Sequence, residues 1–259
     1  MNRGINLSDF SFIIEDMIWS FSRLSSFQQC PYQWKLQYID CAKGENNAFA
    51  EFGLLSHKIL EKYAKDELEL FELSMVYDEK YDDFIEHKFP YNKHVDLNES
   101  YKKQGKDYFD NFSGFGDYEI ISIEEEFEFV MDNIKIKGLL DLLVKDKDGN
   151  YHIIDHKSSD PKSAKSAKAK EYWKQMTLYA IWVYVKYGVF PVKLHINAFR
   201  KQQWFIIDFD ENEIDKIKKW VIDTVDVILK EEEFLPKSDA YFCRNLCNFR
   251  NLCEYIPQG

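Results

Sequence analysis

"YHIIDHKSS", residues 151–159, is the stretch on which the reading of this chain turns. Tyr151 to Ile154 read as a buried strand, and directly behind them stand an acid, a base and two hydroxyls. Side chains alternate along a strand, so Asp155 and Lys157 share one face and His156 takes the other, where a structural role is expected. Upstream, "IKIKGLLDLLVKD" reads as a second strand carrying Asp141, separated from the first by the turn-forming Asp148-Gly149-Asn150. The register decides whether these groups meet. A turn made of Asp148 and Gly149 alone pairs Asp141 with His156 and sends it away from Asp155. A turn of odd length, such as Asp148-Gly149-Asn150 with a bulge, pairs Asp141 with Lys157 and puts all three groups on one face. Two facing carboxylates repel unless a cation lies between them, and hard oxygen ligands suit Mg²⁺ or Mn²⁺. A nearby Lys would orient an attacking water or offset developing charge. Taken alone, the same residues also fit a surface hairpin with a salt bridge.

Working outward, "SFSRLSSFQQCPYQWKLQYID" predicts two short helices, with Ser22 as N-cap of the first and Pro31 in the first turn of the second. A helix is expected from Ala48 to about Leu73, and a charged, Tyr-rich helical stretch up to about Phe112. "YEIISIEEEFEFVM" opens the strand-like part. After the 151–159 strand come a helix from about Ala164 to Tyr187 ended by Gly188, the strands "VKLHINAFR" and "QQWFIIDF", and a helix from about Glu211 to Glu232. The order predicts an α/β fold, a mixed central sheet of about five strands flanked by helices. No internal boundary is marked by composition, so 1–259 is expected to be a single domain: a mainly helical part over 1–112, a core over 113–232 and a Cys-rich tail over 233–259.

Among 259 residues, 34 basic and 45 acidic side chains give a net charge of -11, which argues against coating nucleic acid or anionic membrane by bulk attraction. Any phosphate-binding surface must be local, and "DPKSAKSAKAKEYWK" offers one: Lys162, Lys165 and Lys168, spaced by three, would share a helix face. No stretch approaches the roughly 18 to 20 apolar residues of a membrane span, and the first residues carry no leader pattern, which points to an intracellular, cytoplasmic protein. Five cysteines, an odd number, make a disulfide framework improbable, and the clustered Cys243, Cys247 and Cys253 read as metal ligands.

"GLLD", then "IIDHKSS", then "QMTLYAIWV" resembles the sequential core of the PD-(D/E)xK nuclease superfamily, specifically its RecB-like exonuclease branch. "EFGLLSHKILEKY" supplies the branch's upstream histidine, His57. The resemblance covers about residues 20 to 255 and implies a restriction-endonuclease-like core. It also implies a metal held by His57, Asp141 and Asp155, with Lys157 as catalytic base or electrostatic partner. Gln175 and Tyr179, four apart on one helix face, would contact DNA or position the catalytic groups. The activity the resemblance implies is metal-dependent, exonucleolytic DNA hydrolysis, on DNA that is single-stranded or has single-stranded ends. The host would be bacterial, archaeal or phage, and a helicase, recombination or CRISPR adaptation protein would be a partner. Relatives such as the AddB nuclease domain and the CRISPR adaptation nucleases hold a 4Fe-4S cluster with one N-terminal and three C-terminal cysteines. By resemblance those would be Cys30, Cys243, Cys247 and Cys253, with a structural Zn²⁺ as the alternative. A different class of function is a non-catalytic DNA-binding or assembly subunit that keeps fold and cluster. The presence of Asp141, Asp155 and Lys157 speaks against it.

Overall fold

The structure is a computed structural model that describes residues 11–159 and 161–256. Expectations placed on the first ten residues, on Asp160 and on the last three lie outside the described residues. The helices in chain order are α1 (Ser11–Glu15), α2 (Phe21–Gln29), α3 (Pro31–Tyr38), α4 (Ala48–Ala64), α5 (Leu73–Phe84), α6 (Leu97–Asn111), α7 (Ala167–Tyr187), α8 (Asn212–Leu229) and α9 (Ala240–Asn245). The strands are β1 (Glu119–Met131), β2 (Ile134–Lys145), β3 (Tyr151–Lys157), β4 (Lys193–Ala198) and β5 (Gln203–Asp208). They form one mixed sheet in the order β1-β2-β3-β4-β5, with β2 and β3 antiparallel, β3 and β4 parallel, and β4 and β5 antiparallel. The crossover from β3 to the parallel β4 is α7, as a parallel pair requires. Among the described residues no helix is long and apolar enough to cross a membrane.

The chain divides into two compact units. The larger comprises Asn46–Phe127 and Leu139–Ile214. Its core gathers Phe52, Leu55 and Ile59 of α4, Tyr77 and Tyr81 of α5, Tyr108 and Phe109 of α6, and Leu142, Val144 and Ile154 of the sheet. Leu142 and Val144 on β2 and Ile154 on β3 pack on this side, so alternation turns Asp141 and Asp155 to the other side. The smaller unit comprises Met1–Glu45, Glu128–Gly138 and Asp215–Gly259. Within it Trp34 is fully buried, stacked on Phe234 at 5.8 Å and edge-on to Phe27 at 5.7 Å. Trp19 bonds the backbone of Lys135 and Lys137 there, at 2.8 and 2.7 Å.

Several helix limits differ from the expected ones, each for a local reason. The cap of α2 is Ser20, whose side chain accepts from the Arg23 amide, so Ser22 lies inside the helix. The helix expected to reach Leu73 stops at Ala64, and Asp66 follows in the left-handed region with φ 57°. Between α5 and α6, residues 85–96 carry no helix, with Pro90 in their middle. Ser166 caps α7 by accepting from Ala169, so Lys162 and Lys165 precede the helix and do not share a helical face with Lys168. Gly188 ends α7 at φ 75°, a conformation glycine adopts without strain.

Candidate active site

The β2–β3 turn sets the site. Asp146 accepts from the amides of Asp148 and Asn150 at 2.9 Å each and from the Asn150 side chain at 3.1 Å, which closes a turn between Lys145 and its partner Tyr151. The turn has odd length, as shared facing demands, but the register differs from the expected one. Leu142 pairs with Ile154 and Val144 with His152, so the ladder continued sets Asp141 across from Asp155, two residues short of Lys157. The ladder stops there because the His156 amide donates to Asp141 Oδ2 at 2.7 Å instead of to backbone.

Asp155 is buried and ion-paired to Lys157, Oδ2 to Nζ 2.7 Å. Lys157 also donates to Gln175 Oε1 at 3.2 Å, and Gln175 Nε2 donates to Tyr179 Oη at 2.7 Å, so α7 carries the lysine's second support. His57 of α4 places Nδ1 3.7 Å from Asp141 Oδ2. Gly53, one helical turn before it, lies so near the end of β3 that a Cβ there would sit 3.1 Å from Ser158 Oγ. His156 points to the opposite face, where it stacks on Phe115 at 5.7 Å and meets Asn197 Nδ2 at 3.1 Å.

Glu124 of β1 joins this cluster, and the sequence reading missed it. Ligand atoms of His57, Glu124 and Asp141 all lie within 4.8 Å of one another, whereas Asp155 is drawn to Lys157. Glu124 has φ 46°, a left-handed conformation inside a strand that costs a non-glycine residue about 1 kcal/mol or more. Its direction therefore does not follow from alternation, and among Glu124, Glu125, Glu126 and Glu128 no sequence signal singles it out. Tyr172 of α7 is a second residue missed: Lys157 Nζ lies 5.0 Å from its ring centroid and its hydroxyl bonds Ser159.

Burial dominates the electrostatics. It pushes Glu124 up to about 8, with Asp141 and Glu61 adding repulsion, and Asp155 up to about 6, with Lys157 opposing and Asp141 reinforcing. Asp141 is raised by burial, against the pull of Lys157 and the His156 amide. Burial and then Lys157 lower His57 to about 4, which leaves its imidazole neutral and able to ligate. For Lys157 burial works against the charge, but Asp155 and Asp141 overcome it and push the ammonium up. An imidazole and two repelling carboxylates form a donor set suited to a divalent cation.

In the smaller unit Cys30, Cys243, Cys247 and Cys253 all line one cavity of about 120 Å³. Burial raises Cys243, Cys247 and Cys253, and each also feels the neighbouring thiols. Cys41 is exposed and stands outside this cavity.

No curated protein matches the chain. Among solved structures, a protein described as a candidate exonuclease from Eubacterium rectale aligns over 99% of this chain and 94% of its own, with TM-score 0.53 and 13% identity, a likeness of fold. The crystal structure of SSO0001 aligns over 97% of this chain and 95% of its own, with TM-score 0.40 and 14% identity. The profile of the PD-(D/E)XK nuclease superfamily matches residues 18–254, nearly the whole sequence and all of the cluster just described. The chain belongs to the PD-(D/E)XK nuclease superfamily.

Proposed function

We propose that this chain is a Mg²⁺- or Mn²⁺-dependent deoxyribonuclease, an exonuclease of the RecB-like kind, acting on single-stranded DNA or single-stranded ends. The observation that carries the reading is the meeting of His57, Glu124 and Asp141 within 4.8 Å beside the Asp155–Lys157 pair. Family membership supplies the expectation of nucleic-acid hydrolysis. His57, Glu124 and Asp141 would hold the ion, with Asp155 as the adjoining carboxylate. When bound, the ion supplies Lewis acidity toward a phosphodiester oxygen and favours deprotonation of water. Lys157 donates to both Asp155 and Gln175, which fixes it as an ammonium. Its role is to offset charge developing on the phosphate rather than to accept a proton. Gln175 and Tyr179 position that ammonium. Lys162 and Lys165, exposed just ahead of α7, extend a phosphate-binding path.

For the tail, the reading is a 4Fe-4S cluster on Cys30, Cys243, Cys247 and Cys253. Four thiols around one cavity match the four thiolates that such a cluster takes, with a structural Zn²⁺ as the alternative. Its part is to tie the two ends of the chain, and residues 1–259 act as one nuclease domain.

The test is incubation of end-labelled single- and double-stranded DNA with the parent and with Glu124→Gln, in Mg²⁺, in Mn²⁺ or in chelator. The parent should release short products from ends only with metal, and Glu124→Gln should need far more Mn²⁺ for the same rate. If the parent cuts no DNA form with either metal, the chain is a non-catalytic DNA-binding subunit.

A further inference from the structure

In a chain of net charge -11, the segment "HKFPYNKH", residues 87–94, contains no acid, two lysines, two histidines and two aromatic rings. It lies between α5 and α6 in the larger unit and forms much of the wall of a cavity of about 600 Å³. Its parts are fixed unequally. Phe89 is anchored, edge-on to Phe49 at 5.0 Å and tilted on Tyr101 at 4.9 Å. Tyr91, two residues on, is 92% exposed. Tyr91 stands between Lys88 and Lys93, an exposed π-face with a cation on either side in sequence, and Glu86 and Asp96 border the same cavity.

His87 is held with unusual care for a loop residue. Glu51, in the first turn of α4, accepts from the His87 amide at 3.0 Å and from its Nδ1 at 2.5 Å, and the Glu51 side chain is only 7% exposed. An ionised carboxylate only accepts, so the Nδ1 proton points to Glu51, and on a neutral ring Nε2 is then an acceptor, suited to a base N–H and not to a phosphate oxygen. The His87 side chain is 34% exposed and lines the cavity together with Lys88. Asp96, on the same wall, is occupied in capping α6 through the Glu99 amide at 3.2 Å. Glu51 precedes His57 by six residues on α4. That is about 9 Å of helix rise, comparable to two or three nucleotides of a stacked strand at about 3.4 Å each.

We propose that this cavity is a subsite for a non-scissile nucleotide of single-stranded DNA, with the base stacked on Tyr91 and the phosphate met by Lys88. The proposal rests on the nuclease reading above and deepens it. Interleaved aromatic and basic groups are how proteins bind single strands without reading sequence, stacking holding the base and cations the backbone. The buried Glu51 presets His87, so little ordering is left for binding.

Anisotropy of a fluorescein-labelled oligo(dT) of about twelve nucleotides, in EDTA so that no metal-dependent cleavage occurs, tests it. Tyr91→Ala should weaken binding about tenfold, in the range that loss of one stacked base produces. Tyr91→Phe, which keeps the ring, should bind as the parent does. Lys88→Gln should make affinity less steeply dependent on salt. Melting temperatures of the three variants should equal the parent's, because both side chains are exposed. Binding by Tyr91→Ala and Lys88→Gln within twofold of a parent that binds overturns the subsite and leaves the nuclease reading intact. A parent that binds no DNA overturns both.

Discussion

Asp155 is buried and Lys157 partly buried beside it, and removing one is not equivalent to removing the other. Lys157→Met leaves Asp155 inside the protein beside Asp141 with its counter-charge gone, the situation in which a broken buried pair costs about 3–5 kcal/mol. Asp155→Ala removes an acid that burial and Asp141 already disfavour as an anion, and Lys157 keeps Gln175 as a partner. Urea unfolding of the two variants should therefore show a much lower midpoint for Lys157→Met than for Asp155→Ala; equal midpoints would mean that the pair does not act as described. At this scale much of the site was legible. His57, Asp141, Asp155 and Lys157 are chemically distinctive residues at recognisable spacing, and the structure brings them to one end of the sheet. Glu124 was not legible, because its direction depends on a left-handed backbone angle and its neighbours are the same residue type.

The strands carry a second buried polar chain away from that cluster. His152 Nδ1 on β3 lies 3.0 Å from His195 Nε2 on β4, and His152 Nε2 lies 3.1 Å from Asp146 Oδ2 in the turn. Tyr118 faces both rings, at 4.9 and 5.8 Å, and Lys193 precedes His195 on its own strand. Burial, then His152 and Lys193, lower His195 to about 4, against about 6.5 in an unfolded chain. The unfolded state then binds the proton first, so this group's contribution is intact above pH 6.5 and is lost as pH falls toward 4, by up to about 3 kcal/mol. Between pH 7 and pH 4.5 the urea midpoint of the parent should fall more than that of His195→Asn, and parallel profiles would contradict the assignment. Elements were also where the sequence was read least exactly. Strand identity and order followed from the alternation and turn residues, but the turn is built by the Asp146 side chain rather than by Asp148-Gly149-Asn150 alone. That moved the pairing by two residues while preserving the face. Ser166 likewise shortened α7 through a cap whose competition with Ala164 no periodicity reveals.

At the scale of the molecule, residues far apart in sequence meet twice: four cysteines around one cavity in the smaller unit, and the acid, histidine and lysine cluster in the larger. Each unit draws on separated segments, and no change of composition marks the crossings. The cysteine cavity predicts that protein purified without oxygen is brown. Cys30→Ala should lose the colour and melt at lower temperature, since the metal group's binding energy is also folding energy. Colourless parent protein with stoichiometric zinc would replace the cluster by Zn²⁺. The larger unit's cluster carries the central claim, that the end of the sheet where Asp141 faces Asp155 is a metal-dependent nuclease site. The most direct measurement is cleavage of end-labelled single-stranded DNA in Mn²⁺ by the parent and by Asp155→Ala, with the melting temperature of each recorded. The account predicts that Asp155→Ala keeps the parent's fold and loses cleavage by at least about a hundredfold, the scale of removing one electrostatic contributor to a transition state; an Asp155→Ala protein that cuts as fast as the parent would contradict it.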